Sequence, residues 1–425
     1  MCTGVIAAVK ITVSSPDLRP SLIAPLQGLA AAGALERVIT TLAFARDGKA
    51  LAVAGRWSPK SASLLRRRII PDGLEPLVEC IPLGELLMQA SGRLGLGDRA
   101  QHRVWMWAEP YFDRKVAERL GGAPGVLYGH EHASLASFES QKRAGGRCVL
   151  RQVNAHYQFL DAIVDEEHNR FGAPDSPGWR AVVDSRARVN ARKAAEYQLA
   201  DLIVANSGFV RRTFIDAGVP GDRVVVTATG CPVPQPTPPE PATRRRLVLC
   251  AGHLSFRKGT LYLIEAWRRL RLPPAEAELV LAGRAMLPPR LLANLPPGVR
   301  LTGTVSAAAL DRLYREASLF VLPTLCEGLA HVIPEALSRG LPVLTTPHSG
   351  ADDFIASGVN GWIVPIRDSD ALADRIMRAL DHPTDLAAMR EAALRTAASR
   401  THAGAVASHV ALLSEFANQS APVHA

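Results

Sequence analysis

Short apolar runs alternate with amphipathic segments along the second half of the chain. The runs RLVLCAG (246–252) and SLFVLPT (318–324) are typical of buried strands, and LYLIEAWRRL (261–270) has apolar residues at helical spacing. Ser306 can cap a helix over AAALDRLYREA. Strands that alternate with helices predict parallel pairing and a sheet covered on both faces, so this half is expected to be an α/β domain.

The first half ends in the same pattern. RCVLRQV (147–153) and DLIVANS (201–207) are predicted strands, an Arg- and Ala-rich helix is predicted around residues 181–199, and Ser207 can cap a helix over GFVRRTFIDAG. The sequence therefore predicts two α/β domains.

A proline-rich stretch separates the two patterns. CPVPQPTPPEPATRRR (231–246) contains six prolines, which exclude a helix interior and a central strand, so an extended linker is predicted. The expected domains are residues 1–235 and 236–400. Residues 401–425 have apolar positions at helical spacing and are predicted to form a final helix.

Composition restricts the classes of function. The chain has 425 residues, 48% of them hydrophobic, which is enough for two cores, and its net charge of +9 favours anionic partners. Arginine clusters at 66–68 and 244–246 suggest peripheral contact with an anionic membrane. Because no aromatic residues are interleaved with these arginines, nucleic-acid binding is not expected.

Cysteine usage and the N-terminus bear on the compartment. The six cysteines have no C-x-x-C spacing, so neither a zinc site nor a disulfide framework is indicated. The chain lacks the basic n-region of a signal peptide and an apolar run long enough to span a membrane. A cytoplasmic protein is therefore expected, with any membrane contact at the inner face.

Two carboxylates flank a loop in CEGLAHVIPEALSRGLPVLTTPHSG (326–350). Glu327 follows a predicted strand and so lies at the sheet edge where open α/β sheets bind ligands. Pro334 is predicted at the first position of a short helix that starts beside Glu335 and ends at Gly340. Backbone amides of the loop suit a phosphate and the carboxylates suit hydroxyl donors, so a nucleotide-sugar site is predicted.

This stretch resembles the E-x7-E signature of the retaining family 4 glycosyltransferases, of the group 1 glycosyl transferases. The agreement continues through PHSGADDFIASGVNGWIVP (347–365), where Asp353 stands in place of a frequent Glu. The resemblance implies the GT-B fold, in which two Rossmann-like, doubly wound domains face an interdomain cleft and the last helix commonly crosses back to the first domain. It also implies sugar contacts for Glu327, ribose contacts for Glu335, and diphosphate contacts for the amides of residues 328–330, which are Gly328, Leu329 and Ala330.

CAGHLSFRKGTLYLIEAW (250–267) is similar to the family's phosphate loop. The Lys-Gly pair of that loop falls on Lys258 and Gly259, and a lysine beside a diphosphate stabilises the charge of the departing nucleotide. His253 stands where the family usually has an arginine. Arg257 is near enough in sequence to supply the second cation.

Histidines are the candidates from the first half. In VLYGHEHASLASF (126–138) either His130 or His132 matches a family histidine that faces the donor sugar, and His130 is preferred because Gly129 precedes it at a predicted strand end. His132 and His156 are also candidate acceptor contacts, as are Glu166 and Glu167. An H-x-H pair has too few ligands for a metal site.

The resemblance is strong over residues 196–380 and weak before 125, where the family's Gly-Gly turn is not recognisable. D-S-D at 368–370 precedes ALADRIMRAL and is interpreted as a helix cap, so no metal and no cofactor beyond the sugar nucleotide is expected.

The function predicted is a retaining, metal-independent transfer of a hexose from a nucleoside-diphosphate sugar to a hydroxyl of a glycan, lipid or small molecule. The alternatives are a sugar-nucleotide epimerase of the same fold and an inactive protein that binds nucleotide sugars or glycans.

Overall fold

The structure is a computed structural model that describes residues 9–18, 20–45, 68–172, 177–227, 229–235, 246–351 and 353–419. Most of the predicted linker lies outside these residues. So do two of the three arginines in each of the basic clusters, and the membrane contact inferred from them stays a prediction.

The described strands form two sheets, of seven and six strands. The first sheet has the order β3-β2-β1-β4-β5-β6-β7. Its strands are β1 (Ile11–Ser14), β2 (Leu35–Thr40), β3 (Val78–Cys80), β4 (Val126–His130), β5 (Arg147–Gln152), β6 (Leu202–Ala205) and β7 (Val224–Val226). The second sheet has the order β10-β9-β8-β11-β12-β13. Its strands are β8 (Arg246–Ala251), β9 (Ala277–Ala282), β10 (Val299–Gly303), β11 (Leu319–Leu322), β12 (Val343–Thr345) and β13 (Gly361–Ile363).

Each strand pair with a described register is parallel, as the sequence predicts. Strands β6 and β11 are continuous apolar runs with every residue buried, as expected where helices cover both faces of a sheet. Strand order reverses once in each sheet, between β1 and β4 and between β8 and β11. Ligands of open α/β sheets bind beyond the carboxyl ends of the strands at such points.

Thirteen helices are described with these strands. They are α1 (Pro20–Ala31), α2 (Leu83–Arg93), α3 (Asp98–Leu120), α4 (Leu135–Arg143), α5 (Tyr157–Phe171), α6 (Pro177–Leu199), α7 (Gly208–Asp216), α8 (Thr260–Leu270), α9 (Ala307–Glu316), α10 (Val332–Leu337), α11 (Ser369–Asp381), α12 (Pro383–Ser399) and α13 (His402–Asn418). Short 3-10 helices occur at Glu75–Leu77, Gly221–Arg223, Pro289–Leu291 and Pro347–Ser349. Within the described ranges, none of the helices has both the length and the apolar content needed to cross a bilayer.

Side-chain caps start three of these helices at predicted positions. The Ser207 hydroxyl accepts the Val210 amide at 3.2 Å, and the Ser306 hydroxyl accepts the Ala309 amide at 3.2 Å. Asp368 accepts the amide of Ala371 at 2.8 Å, which confirms that D-S-D at 368–370 is a cap. These bonds satisfy donors that would otherwise lack a partner in the first turn.

The chain divides into two compact units. The first comprises Met1–Gln152, Asp175–Val204 and Val406–Ala425, and the second comprises Val153–Pro174 and Ala205–Ala405. The strands of the first sheet lie within the predicted range 1–235 and those of the second within 236–400. The compact units differ from these ranges, because Val153–Pro174 belongs to the second unit and Val406–Ala425 to the first.

Helix α13 contributes its later turns to the first unit. The Nε2 atom of His409 is 3.1 Å from the hydroxyl of Tyr128, and the side chain of Arg147 donates to the carbonyl of Ala417 at 2.8 Å. The guanidinium of Arg147 also lies 4.6 Å from the ring centre of Phe416. Burial and the charge of Arg151 lower the pKa of His409 to about 4, so its ring is neutral at neutral pH.

Candidate active site

Two loops of the second unit meet beyond the carboxyl ends of β8 and β11. The carbonyl of Arg257, in the loop after β8, accepts the amide of Leu325 at 2.8 Å and the hydroxyl of Thr324 at 2.9 Å. Gly259 has φ 66, and a Cβ there would overlap the carbonyl of Pro323, so the close approach requires glycine. The loop of residues 252–259 is therefore fixed against the segment that follows β11.

Three predicted site residues form one charged cluster at this junction. The Oε1 atom of Glu327 lies 3.1 Å from Nζ of Lys258 and 3.2 Å from Nη2 of Arg257. The side chains of Glu327 and Lys258 are only 11% and 13% exposed, whereas that of Arg257 is 38% exposed. Within the described part of the chain, Oε1 of Glu327 is buried and has no hydrogen bond of normal geometry. It can therefore accept a bond from a ligand hydroxyl.

The loop between the two glutamates presents backbone amides. The Glu327 amide donates to the carbonyl of His348 at 2.9 Å, and the Ala330 amide donates to that of Ser349 at 3.1 Å. Between them, the amides of Gly328 and Leu329 have no acceptor among the described residues. Both residues are buried, and buried amides need acceptors, so an anionic oxygen would satisfy this pair.

Gly328 is packed so closely that no side chain fits. A Cβ at this position would overlap the carbonyl oxygen of Val153 and lie 3.0 Å from Nδ2 of Asn206. The carbonyl of Gly328 in turn accepts the hydroxyl of Ser207 at 2.5 Å. Residues far apart in the sequence thus fix the position of the amide loop.

Glu335 lies in the short helix α10, and a tyrosine orients it. The Tyr314 hydroxyl donates to Oε2 of Glu335 at 3.0 Å. Burial raises the pKa of Glu335, while the Tyr314 bond and the charge of Arg339 act in the opposite direction. The prediction that Pro334 occupies the first helical position is wrong, because α10 begins at Val332. The predicted stop at Gly340 agrees with its φ of 65 and with the bond from its amide to the carbonyl of Leu337, the last residue of α10, at 3.0 Å.

Two further residues of the family pattern are at the surface of the second unit. His253 lies in the loop of residues 252–259, but its side chain is exposed. It makes no ion pair or hydrogen bond within the described residues. Asp353 is exposed as well. Arg257, and not the residue at 253, therefore supplies the second cation beside Glu327.

His130 ends β4 in the first unit and is half-buried. Its Nδ1 atom has no hydrogen-bond partner within the described residues. Burial, followed by the charge of Arg151, lowers the pKa of His130 to about 4. The ring is therefore neutral at neutral pH and can donate or accept a hydrogen bond but carries no charge.

His132 is held in a packed network. It has φ 69, which is unusual for a residue other than glycine, and its amide donates to Oε2 of Glu196 at 2.5 Å. Its ring pairs with Glu109 through Nδ1 and stacks on Trp105 with ring centres 4.7 Å apart. The preceding residue, Glu131, contacts Lys193 at 3.1 Å. These contacts fix the shape of the loop that follows His130.

His156 and the acidic pair lie in α5 or at its start, in the second unit. His156 caps α5, because its Nδ1 atom accepts the amide of Gln158 at 3.3 Å, and its own amide donates to the hydroxyl of Thr213 at 3.0 Å. Arg367 binds Glu166 at 2.8 Å and Glu167 at 2.7 Å. These interactions give each of the three residues a structural role.

Sequence reasoning did not identify Tyr314 or the neighbours of Gly328 as parts of the site. Tyr314 is 3% exposed on an amphipathic helix and so has the sequence signal of a core residue. The contacts of Val153 and Asn206 with Gly328 join residues more than a hundred positions apart, and local patterns do not indicate them.

The fold and these loops define the class of the protein. The chain has the GT-B fold, and residues 245–382, which contain the Lys258–Glu327 cluster and Glu335, match the model of the family Glycosyl transferases group 1.

Particular proteins resemble the chain over different lengths. Amylovoran biosynthesis glycosyltransferase AmsK of Erwinia amylovora is 29% identical over 194 residues, which are 42% of this chain and 47% of that protein. The chain thus spans about half the length of AmsK. D-inositol 3-phosphate glycosyltransferase of Thermobispora bispora is 29% identical over 346 residues, 68% of this chain and 80% of that protein. The crystal structure of Anabaena Alr3699/HepE in complex with UDP superimposes with a TM-score of 0.59 at 19% identity and covers 96% of this chain and 99% of that chain.

Proposed function

We propose that this protein is a retaining glycosyltransferase that moves a hexose from a nucleoside-diphosphate sugar to an acceptor hydroxyl. The observation that carries the proposal is the cluster of Lys258, Arg257 and Glu327. It lies beside the amides of Gly328 and Leu329, for which the described residues offer no acceptor. A diphosphate joined to a sugar requires cations and amide donors for its phosphate oxygens. It also requires a carboxylate that can accept hydrogen bonds from the sugar hydroxyls.

The diphosphate would be held by the two cations and the amide loop. Lys258 is largely buried and fixed by its loop, so its charge is preorganised and needs little reorientation as negative charge develops on the leaving nucleotide. Arg257 is more exposed and can follow the phosphate as it departs. Metal independence is proposed for the same reason, since two cations can neutralise the diphosphate without a divalent ion.

The two glutamates would bind the hydroxyls. Glu327 Oε1 is positioned to accept a sugar hydroxyl while it remains in contact with Lys258. Glu335 would accept ribose hydroxyls, and the Tyr314 hydrogen bond fixes the orientation of its carboxylate for this role. His130 is assigned to the donor sugar on the resemblance, and its neutral ring fits a hydrogen-bonding role.

The solved relatives support the nucleotide-sugar class. Alr3699/HepE from Anabaena, at 18–19% identity, has been crystallised in complex with UDP and in complex with UDP-glucose. The retaining outcome rests on the E-x7-E resemblance, in which the departing phosphate deprotonates the acceptor on the face it leaves. Groups of the protein then position the reactants and stabilise charge.

The test replaces Lys258 by alanine and measures both donor binding and turnover. A thermal-shift screen of UDP-, GDP- and dTDP-sugars identifies the donor, because a ligand at 100 times its Kd adds about 2.7 kcal/mol of stability. Lys258→Ala should then lower turnover roughly 100-fold or more. Lys115→Ala, at an exposed site paired with Glu118, is the control and should keep full turnover.

Three results would overturn parts of the proposal. Unchanged turnover and donor affinity in Lys258→Ala would remove the assigned site. Activity abolished by EDTA and restored by magnesium would contradict metal independence. A product with inverted anomeric configuration in proton NMR would contradict the retaining mechanism.

A further inference from the structure

A basic groove lies between helices α3 and α6 of the first unit. Its volume is about 520 Å³. Three arginines line it, Arg99 and Arg103 from α3 and Arg188 from α6, and Asp184 is the carboxylate among the lining residues. The groove therefore has a net positive charge and is suited to an anion.

Within the described part of the chain, none of Arg99, Arg103 and Arg188 forms an ion pair, whereas Arg192, one turn further along α6, pairs with Asp113 and Glu196. Arg99 and Arg103 are four residues apart on one helix, where like charges repel. Three guanidinium groups that share a groove with one lining carboxylate, and form no ion pair among the described residues, point to a ligand that supplies negative charge.

A histidine of the groove joins the two helices without adding charge. Nε2 of His102 is 2.8 Å from the hydroxyl of Ser185. Burial and the neighbouring Arg188 lower the pKa of His102, so its ring is neutral at neutral pH. The positive charge of the groove thus comes from the guanidinium groups, which stay charged over the whole working range of pH.

Apolar side chains continue the groove and its rim. Met106 and Trp107 line it, and Trp107 is 40% exposed and stacks on Tyr111 with ring centres 4.8 Å apart. On the facing helix, Ala181 lines the groove. Exposed apolar groups beside a charged pocket are typical of surfaces that bind amphiphilic molecules.

We propose that this groove binds a phosphate group attached to an apolar body. A phosphate offers several oxygens and up to two charges, so it can engage more than one guanidinium, whereas a carboxylate is saturated by one bidentate arginine. The apolar part of the ligand packs on Trp107 and Met106. The site is independent of the proposed function, because every residue that lines it belongs to the first unit, whereas Lys258, Arg257 and Glu327 belong to the second.

An aromatic row runs from the groove to the loop that follows β4. The ring of His102 lies 5.5 Å from that of Trp105, which stacks in turn on His132 at 4.7 Å. His132 is two residues beyond the end of β4. A ligand anchored in the groove is therefore close to the carboxyl edge of the first sheet, where Trp105 can report its binding by fluorescence.

The test titrates purified full-length protein with dihexanoyl phosphatidic acid below its critical micelle concentration, in parallel with inorganic phosphate and dihexanoyl phosphatidylcholine. Calorimetry gives the affinities. The phosphatidic acid should bind at least about tenfold more tightly than either comparison ligand, because only it combines a phosphate headgroup of net negative charge with apolar chains. Equal affinity for inorganic phosphate would overturn the apolar half of the proposal, and no measurable binding of either anion would overturn all of it.

Variants locate the binding. R99Q/R103Q should weaken phosphatidic acid binding about tenfold or more, whereas R114Q, an exposed arginine of the same helix outside the groove, should leave it unchanged. Trp107→Leu should weaken binding of phosphatidic acid but not of inorganic phosphate.

All variants should keep the thermal unfolding midpoint of the wild type, since the replaced side chains are exposed. Equal losses in R114Q and R99Q/R103Q would show diffuse surface attraction and would overturn the site. A further titration uses phosphatidylglycerol vesicles. Binding to these vesicles without binding to soluble phosphatidic acid would also show diffuse surface attraction and would overturn the site.

Discussion

Tyr314 donates its hydroxyl proton to Oε2 of Glu335 at 3.0 Å. Replacing Tyr314 by phenylalanine removes this bond and leaves a partly buried carboxylate that is already disfavoured by burial. We expect a loss of about 1 kcal/mol in the free energy of unfolding and several-fold weaker nucleotide binding. Chemical denaturation and calorimetry with the donor found by thermal shift measure the two effects.

Tyr111→Phe is the control for this substitution. Tyr111 belongs to α3 in the first unit and stacks on Trp107, so nucleotide binding should not change. Wild-type donor affinity in Tyr314→Phe would show that the tyrosine does not orient Glu335 for a ligand.

Gly328→Ala should disrupt the amide loop. The added Cβ would overlap the carbonyl of Val153, which is backbone and cannot turn aside, so the loop must move. We expect destabilisation of roughly 2 kcal/mol or more together with loss of donor binding. Gly92→Ala is the matched control, because Gly92 lies in α2 with no atom within 4 Å of the added Cβ, and alanine favours a helix by up to about 1 kcal/mol. Equal stability of the two alanine variants would contradict the crowding argument.

Glu196 makes the stability of the first unit depend on pH. Burial raises its pKa from 4.5 to about 8, although the amides of Ser134 and His132 and the charge of Arg192 favour the ionised form. The folded protein therefore keeps this proton at a pH where the unfolded chain has lost it. The resulting stabilisation is complete below about pH 4.5 and is lost as the pH rises through about 8.

Glu196→Gln removes this titration. Glutamine has one acceptor oxygen for two amides, so the variant should have a lower free energy of unfolding than the wild type at low pH. The difference between the two free energies should become smaller as the pH approaches 8. Urea unfolding of both proteins at several pH values measures this difference in the free energy of unfolding. A difference that stays constant or increases with pH would show that the wild-type carboxyl is ionised at every pH measured.

Deleting residues 402–425 should destabilise the first unit. The deletion removes His409 and Phe416, which contact Tyr128 and Arg147, and it exposes the surface of Gly28, where an added Cβ would touch Val410. Thermal unfolding should occur at lower temperature, and hydrogen exchange should speed up at β4 and β5. A truncated protein with unchanged unfolding and exchange would show that the helix contributes no stability there.

The parallel sheets and the cluster of Lys258 and Glu327 could be predicted because their signals are local. Strands such as β8 are continuous apolar runs, and Lys258 and Glu327 each follow such a strand, so their meeting at one sheet edge follows from parallel pairing. The capping residues Ser207, Ser306 and Asp368 are equally local signals.

The first 125 residues were much less predictable. Helix α3 contains Pro110, and α1 contains Pro25, although proline normally argues against a helix interior. Strand β1 has only four residues, too few to show a pattern. The network around His132 also escaped prediction, because it joins Glu109, Glu196 and Trp105 from two helices distant in the sequence.

The first unit is assembled from three separate stretches of chain, and the last of them is Val406–Ala425. On the ribosome, the strands of its sheet are synthesised long before His409 and Phe416 emerge to cover Tyr128 and Arg147. At roughly 5–20 residues per second, the second unit can be completed while the first still exposes apolar surface. Newly made chains should therefore depend on chaperones until the residues from Val406 onward have been synthesised, and premature stop codons even close to residue 406 should yield aggregation-prone protein.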